Sequence, residues 1–377
     1  MQSNDIVKTS NSCRPVRIGD RSIGMESSCF VIAEIGSNHD GELWRAKQLI
    51  DIAASAKCDA VKIQIPLAAE CYPPKTKYGV FYGDEEICEV IRRNEIPNEW
   101  VPELRRYAHD HGLLFGASAD GFIGLQAMLQ GGVDFIKIPS FTISHIPLMR
   151  EVSSQGLPVL ISTGVHTLGQ VEEALVALGT SQVGLLHCVS AYPTEVSEVH
   201  LSNIHLYKQA FSVPVGFSDH SINPTLAPGF AVAMGADIVE KHFTYDRTAK
   251  GTDHFFAIEP DELVDMVNEI RKIESDDAYK HRIANGPAKD KLLGHIRAGI
   301  YDAELPFHKP TRTGIYFLRD VAAGEIVNDN DVRVFRCADT EPELHPRYLD
   351  IVVGSRLIRD VFQYEAVSWI HLIERDQ

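Results

Sequence analysis

Several short Val- and Ile-rich runs in this 377-residue chain end on polar or ionisable side chains. Lys62 and Gln64 lie in AVKIQI, Lys137 in FIKIPS, Ser218 and His220 in GFSDH, and Glu240 and His242 in IVEKH. Side chains alternate along a strand, so Lys62/Gln64, Ser218/His220 and Glu240/His242 each share a face. If those faces converge, one pocket gathers two lysines, a carboxylate, two imidazoles and the hydroxyls of Ser118, Ser140, Ser162 and Ser218. A charge inside an apolar strand is costly without a partner, so Lys62 and Lys137 require an anion. Two lysines ringed by hydroxyls suit a phosphate or carboxylate; the plainer reading is that each is a salt-bridged structural residue. His220 and His242 end neighbouring strands, about 4.8 Å apart, and could reach one divalent cation. With no obvious third protein ligand, positions stay open for water or substrate. Glu240 stands behind that cation or partners Lys62. His187 reads as a hydrogen-bonded core residue, and His281, His295 and His308 as solvated.

The elements that must position these groups follow a rhythm. Apolar runs at Phe30–Ile35, Ala60–Ile65, Leu113–Ala117, Phe135–Ile138, Pro158–Ser162, Val183–His187, Val215–Ser218 and Ile238–His242 alternate with segments of helical period such as Leu43–Ala56, Glu99–His111, Leu168–Leu178 and Pro260–Ser275. Strands apolar on both faces imply a parallel sheet covered by helices. Eight such units predict an α/β fold, a closed (β/α)8 barrel, with its chemistry at the C-terminal ends of the strands. Residues 1–28 read as an arm with a small hairpin around Gly19-Asp20, 29–280 as the barrel, 281–313 as a linker, and 314–377 as a small mostly-β domain. Within that last part IYFLRDV, AAGEIV, NDNDVRVF, DIVVGSRLI and AVSWIHLI read as short strands.

Composition bounds the function. Asp and Glu number 52 against 36 Lys and Arg, a net charge of −16. That argues against a general nucleic-acid or anionic-membrane partner, which would meet no long-range positive field. The seven cysteines are scattered without a CxxC, the start is polar, and no apolar run reaches the ~20 residues of a membrane span. A cytoplasmic protein with reduced thiols is the expectation.

FVIAEIGSNHDG, AVKIQ, ISTG, LHCVSAYPT, GFSDHS and EKHFTYDRTAKGTDHFFAIEPDEL together resemble the sialic acid synthase family, the phosphoenolpyruvate-dependent synthases of nonulosonic acids. The resemblance runs from about Ile18 to the C-terminus, and the tail from Ile315 resembles the family's antifreeze-like (SAF, β-clip) domain. It implies that phosphoenolpyruvate condenses with the open-chain aldehyde of an aldose or N-acyl hexosamine, releasing phosphate. By matching motif positions, His220 and His242 would hold Mn2+ or Mg2+, and Lys62, Lys137, Ser118, Ser140, Ser162 and Ser218 would bind phosphoenolpyruvate, with Glu240 lining the same substrate pocket. Glu34 would be the acid/base or aldehyde-orienting carboxylate, and Gln64, Tyr192 and Asp253 would face the sugar. Arg312 would reach the acceptor of a partner subunit, which implies a domain-swapped homodimer. The chain departs from the family pattern at Ala119, at Thr142 (where the pattern has a carboxylate) and at Ser190 (where it has asparagine), and reads Arg336-Cys337-Ala338 for the usual RPG. An atypical acceptor is therefore expected. Other readings of the same residues are a metal-dependent aldolase or lyase acting on a sugar phosphate, and a barrel kept only as a binding subunit.

Overall fold

In a computed structural model, residues 14–24, 27–77, 83–179, 182–338 and 341–373 are described. The eight expected strands form one closed parallel barrel. After the hairpin β1 (Val16–Ile18) and β2 (Arg21–Ile23), the barrel runs β3 (Phe30–Gly36), β4 (Ala60–Ile65), β5 (Leu114–Ala119), β6 (Phe135–Ile138), β7 (Val159–Ser162), β8 (Val183–Cys188), β9 (Val215–Asp219) and β10 (Ile238–His242), and β10 closes on β3. Helices Leu43–Ser55, Leu168–Leu178 and Pro260–Ser275 are among those covering the outer face. Outward residues such as Val31, Val61, Ile63 and Val239 pack against them in one large core.

The barrel interior is layered. Phe30, Ile32, Ala60, Phe135, Leu160, Leu186 and Ile238 fill the lower layer, and Val16, Ile18 and Ile23 of the hairpin join them. The arm's hairpin therefore plugs the floor of the barrel. Glycine makes room where the wall is tight: a Cβ at Gly216 would run into the backbone carbonyl of Ile238 on β10. Because that neighbour is backbone and cannot rotate away, Gly216→Ala should destabilise the protein by about 1–3 kcal/mol. A thermal melt indistinguishable from wild type would show that β9 and β10 do not approach so closely.

Residues 281–313, read as a linker, contain helices Lys289–Leu293 and Leu305–Thr311 and a buried Glu304. Beyond them β11 (Thr313–Phe317) and β12 (Val332–Arg336) pair antiparallel around a small core of Ile315, Phe317, Val334, Val352 and Val367. Among the described residues, only these two of the five short strands expected here form ladders. The others contribute isolated bridges, Val321↔Val361, Ile326↔Arg356 and Tyr316↔Ala366, and Leu349–Val352 is a helical turn instead. Pro346 starts the 3-10 turn that leads into it, and Gly354, at φ +86°, ends it. Among the described residues no helix is long and apolar enough to cross a membrane.

Candidate active site

Above the apolar floor, the inward residues of the strands become charged. Glu34 on β3, Lys62 on β4, Lys137 on β6 and Glu240 on β10 are all buried. Lys62 Nζ lies 2.7 Å from Glu34 Oε2, and Lys137 Nζ donates to both carboxylate oxygens of Glu240 at 2.7 and 2.8 Å. The second pair spans the barrel, since β6 and β10 are not neighbours. Of the two readings of Glu240, the partnership with Lys62 is thus corrected: Glu240 bonds Lys137, and Lys62 contacts Glu34. Glu240 still acts on Lys62 through its charge, because burial opposes the lysine's charge while Glu240 and Glu34 hold its pKa above the usual value. For Glu240 itself burial is outweighed by Lys137 and Lys62, and the carboxylate stays ionised. Glu34 differs. Burial raises its pKa to about 7 against the pull of Lys62, so near neutrality it can both give and accept a proton. Gln64 Nε2 donates to its other oxygen at 2.9 Å.

Hydroxyls surround the lysines. Ser218 donates to Glu240 at 3.3 Å, and Ser140 Oγ accepts from the Gly164 amide at 3.0 Å. Ser118, Ser140, Ser162 and Ser218 are all buried, as expected, and Ser190 is buried with them. Among the described residues the hydroxyls of Ser162 and Ser190 find no hydrogen-bond partner, which is costly unless an anion or water satisfies them.

The two imidazoles come together, with ring centroids 5.7 Å apart. His220 Nδ1 donates to the Val189 carbonyl at 3.0 Å, which leaves the lone pair on Nε2. Burial pushes His220 down to about 4 and His242 well below its usual value, so both rings are neutral at pH 7. His242 Nδ1 is buried, 3.9 Å from Asp253 Oδ2, and among the described residues it has no hydrogen-bond partner. Two neutral imidazoles with available lone pairs fit a divalent cation that keeps open positions. Among the described residues no cluster of three or more His, Cys, Asp or Glu side chains does so.

Asp253 also accepts from the Ser37 amide at 2.9 Å, and Gly36, at φ +58°, leaves room for both Asp253 and His242. The Tyr192 ring lies 4.3 Å from that of His220, tilted 40° to it, with Phe256 and Phe307 beside it. Arg312 is not drawn to this mouth; within the chain it pairs with Glu341 at 2.6 Å. His187 Nε2 donates to the Val199 carbonyl, 2.8 Å away, and is a core residue as expected. His281 and His295 are exposed, whereas His308 is half-buried.

Residues 49–282 match the NeuB family. The chain belongs to the NeuB family. Over 370 residues it is 34% identical to the spore coat polysaccharide biosynthesis protein SpsE of Bacillus subtilis, covering 96% of this chain and 98% of that protein. The crystal structure of SpsE superposes with a TM-score of 0.83 at 32% identity, over 96% of this chain and all of the other. The N,N'-diacetyllegionaminic acid synthase of Legionella pneumophila is 30% identical, covering 93% of this chain and 96% of that protein. Like its NeuB relatives of that kind, the chain is an enzyme.

Against the NeuB pattern, two parts of the site escape sequence reasoning. Glu304, from the segment read as a linker, accepts from the amides of Val165 at 2.7 Å and Ser190 at 3.0 Å, so it ties together the loops after β7 and β8. Its only signal is an acid in a run that otherwise reads as solvent-facing. Thr142, where the family pattern has a carboxylate, donates to Asp120 at 2.7 Å, and Asp120 is ion-paired with Arg336 of the C-terminal module. The negative charge missing at 142 thus sits beside it, at 120.

Proposed function

We propose that this protein condenses phosphoenolpyruvate with the open-chain aldehyde of an aldose or N-acyl hexosamine to give a nonulosonic, 2-keto-3-deoxy acid. The observation that carries the reading is the buried set of two lysines, each tied to a glutamate, beside two unpartnered hydroxyls. An incoming phosphate and carboxylate can take over Lys62 and Lys137 and satisfy Ser162 and Ser190. Carbon 3 of the enolpyruvyl group attacks the aldehyde carbon, water adds at carbon 2, and phosphate leaves by C–O cleavage. Glu34, balanced between its protonated and ionised forms, handles the proton at the aldehyde oxygen, and Gln64, Tyr192 and Asp253 orient the sugar. When bound, Mn2+ or Mg2+ at His220 and His242 supplies Lewis-acid polarisation of that oxygen. The named relatives support the product class: the Legionella protein is a legionaminic acid synthase, and a human relative, 32% identical over 67% of this chain, is an N-acetylneuraminate-9-phosphate synthase.

The test is phosphate release from phosphoenolpyruvate with a panel of N-acyl hexosamines and plain aldoses. Release that depends on both substrates supports the reading. Cleavage of a sugar phosphate without phosphoenolpyruvate would move it to an aldolase or lyase. Chelation, or His220→Ala, should abolish turnover while the circular dichroism stays that of the wild type; full activity in either case removes the cation from the reading. In a homodimer with exchanged C-terminal modules, Arg312 touches only the acceptor, so Arg312→Ala should raise the acceptor KM more than that of phosphoenolpyruvate. Equal effects would make it a structural residue.

A further inference from the structure

Behind the two imidazoles lies an ion pair that the chemistry above does not use. β9 and β10 run in register, with Ser218 opposite Glu240 and Asp219 opposite Lys241. Side chains alternate, so Ser218 and Glu240 meet inside the barrel while Asp219 and Lys241 meet on its outer side. Both are 1% exposed, and Lys241 Nζ lies 2.6 Å from Asp219 Oδ2. The same carboxylate accepts from the Ser221 amide at 2.8 Å and the Ser221 hydroxyl at 3.0 Å. Lys241 also donates to the Ser221 carbonyl. His220 is the residue enclosed between Asp219 and Ser221, and His242 directly follows Lys241.

These bonds are all made at the two strand ends that carry the imidazoles. Apolar side chains of similar size would fill this space with no charge to desolvate, so burying an ion pair here gains geometry rather than packing. The remaining freedom of His220 is taken up by two further contacts, its carbonyl to the Thr194 amide and its ring to the Val189 carbonyl, each at 3.0 Å.

We propose that Asp219, Lys241 and Ser221 are positioning residues that fix the separation and orientation of His220 and His242, and so set the affinity of this two-imidazole site for a divalent cation. The proposal rests on the cation reading given under the proposed function, and the test separates the two. Metal-free, full-length protein is titrated with Mn2+, and free Mn2+ is followed by its electron paramagnetic resonance signal. Saturable binding by the wild type that is lost in His220→Ala supports the cation reading; no saturable binding, or binding unchanged in His220→Ala, overturns that reading and this proposal with it. With binding established, the double variant Asp219→Asn/Lys241→Met, folded by circular dichroism, should bind Mn2+ about 10–100-fold more weakly. A purely structural pair would lower the melting temperature and leave the Mn2+ Kd of the folded protein unchanged, and that result overturns the positioning role alone. Ser221→Ala removes only the hydroxyl bond to Asp219 and carries the same test where the double variant does not fold. A several-fold weaker Kd supports the proposal, and an unchanged one overturns it.

Discussion

Lys137→Met should lower the unfolding free energy by about 3–5 kcal/mol, among the largest losses available to a single side chain here. Lys137 is 2% exposed and bonds both oxygens of Glu240. Methionine matches its length and packs well, so little of the loss comes from a cavity. The cost comes from Glu240, left in the barrel with one long bond from Ser218 and the more distant charge of Lys62. Removing both charges should therefore help: Lys137→Met/Glu240→Leu is expected to recover most of the lost stability in urea unfolding, while binding of phosphoenolpyruvate is lost in both variants. A single variant within about 1 kcal/mol of wild type, the value of an exposed pair, would show that water reaches the lysine and that the cross-barrel pair is not buried.

Glu34→Gln should reduce kcat by about 10²–10⁴-fold, the usual contribution of a positioned acid or base. Glutamine keeps the shape and the contact with Gln64 but cannot transfer a proton. It also frees Lys62 from its ion pair, so the KM for phosphoenolpyruvate should stay level or fall. A raised KM with kcat unchanged would assign Glu34 to substrate binding instead. The two variants thus separate the expected roles of the two ion pairs, a loss of stability at Lys137–Glu240 and a loss of kcat at Lys62–Glu34.

The barrel was legible because its strands are short, β-branched and apolar on both faces. Phe135–Ile138 and Ile238–His242 begin and end where the sequence places them. The convergence of Lys62, Lys137, His220 and His242 was legible for a related reason: strand alternation and the closure of eight strands leave one end for chemistry. The pairing of the charges was not. Whether Glu240 meets Lys62 or Lys137 depends on reach across the barrel, which local spacing does not encode. Glu304 and the Asp120–Arg336 pair were hidden because their partners are backbone amides or a distant module, more than a hundred residues away in each case. In the C-terminal module, bridges of a single residue pair carry too little periodicity to tell a strand from a turn.

The hairpin under the barrel has a kinetic consequence. Among the described residues, Val16, Ile18 and Ile23 close the floor, so the charged layer opens toward the C-terminal ends of the strands. The ligand that reaches Lys137 lies beneath whatever contacts Tyr192 and Asp253 at the rim. With the proposed substrates, a molecule resting at the rim would block the one below, and the deeper anion is expected to arrive first, the two being taken up in sequence. Initial-rate and dead-end inhibition patterns would then be those of a compulsory order, with an analogue of the rim-bound molecule trapping the deeper one inside.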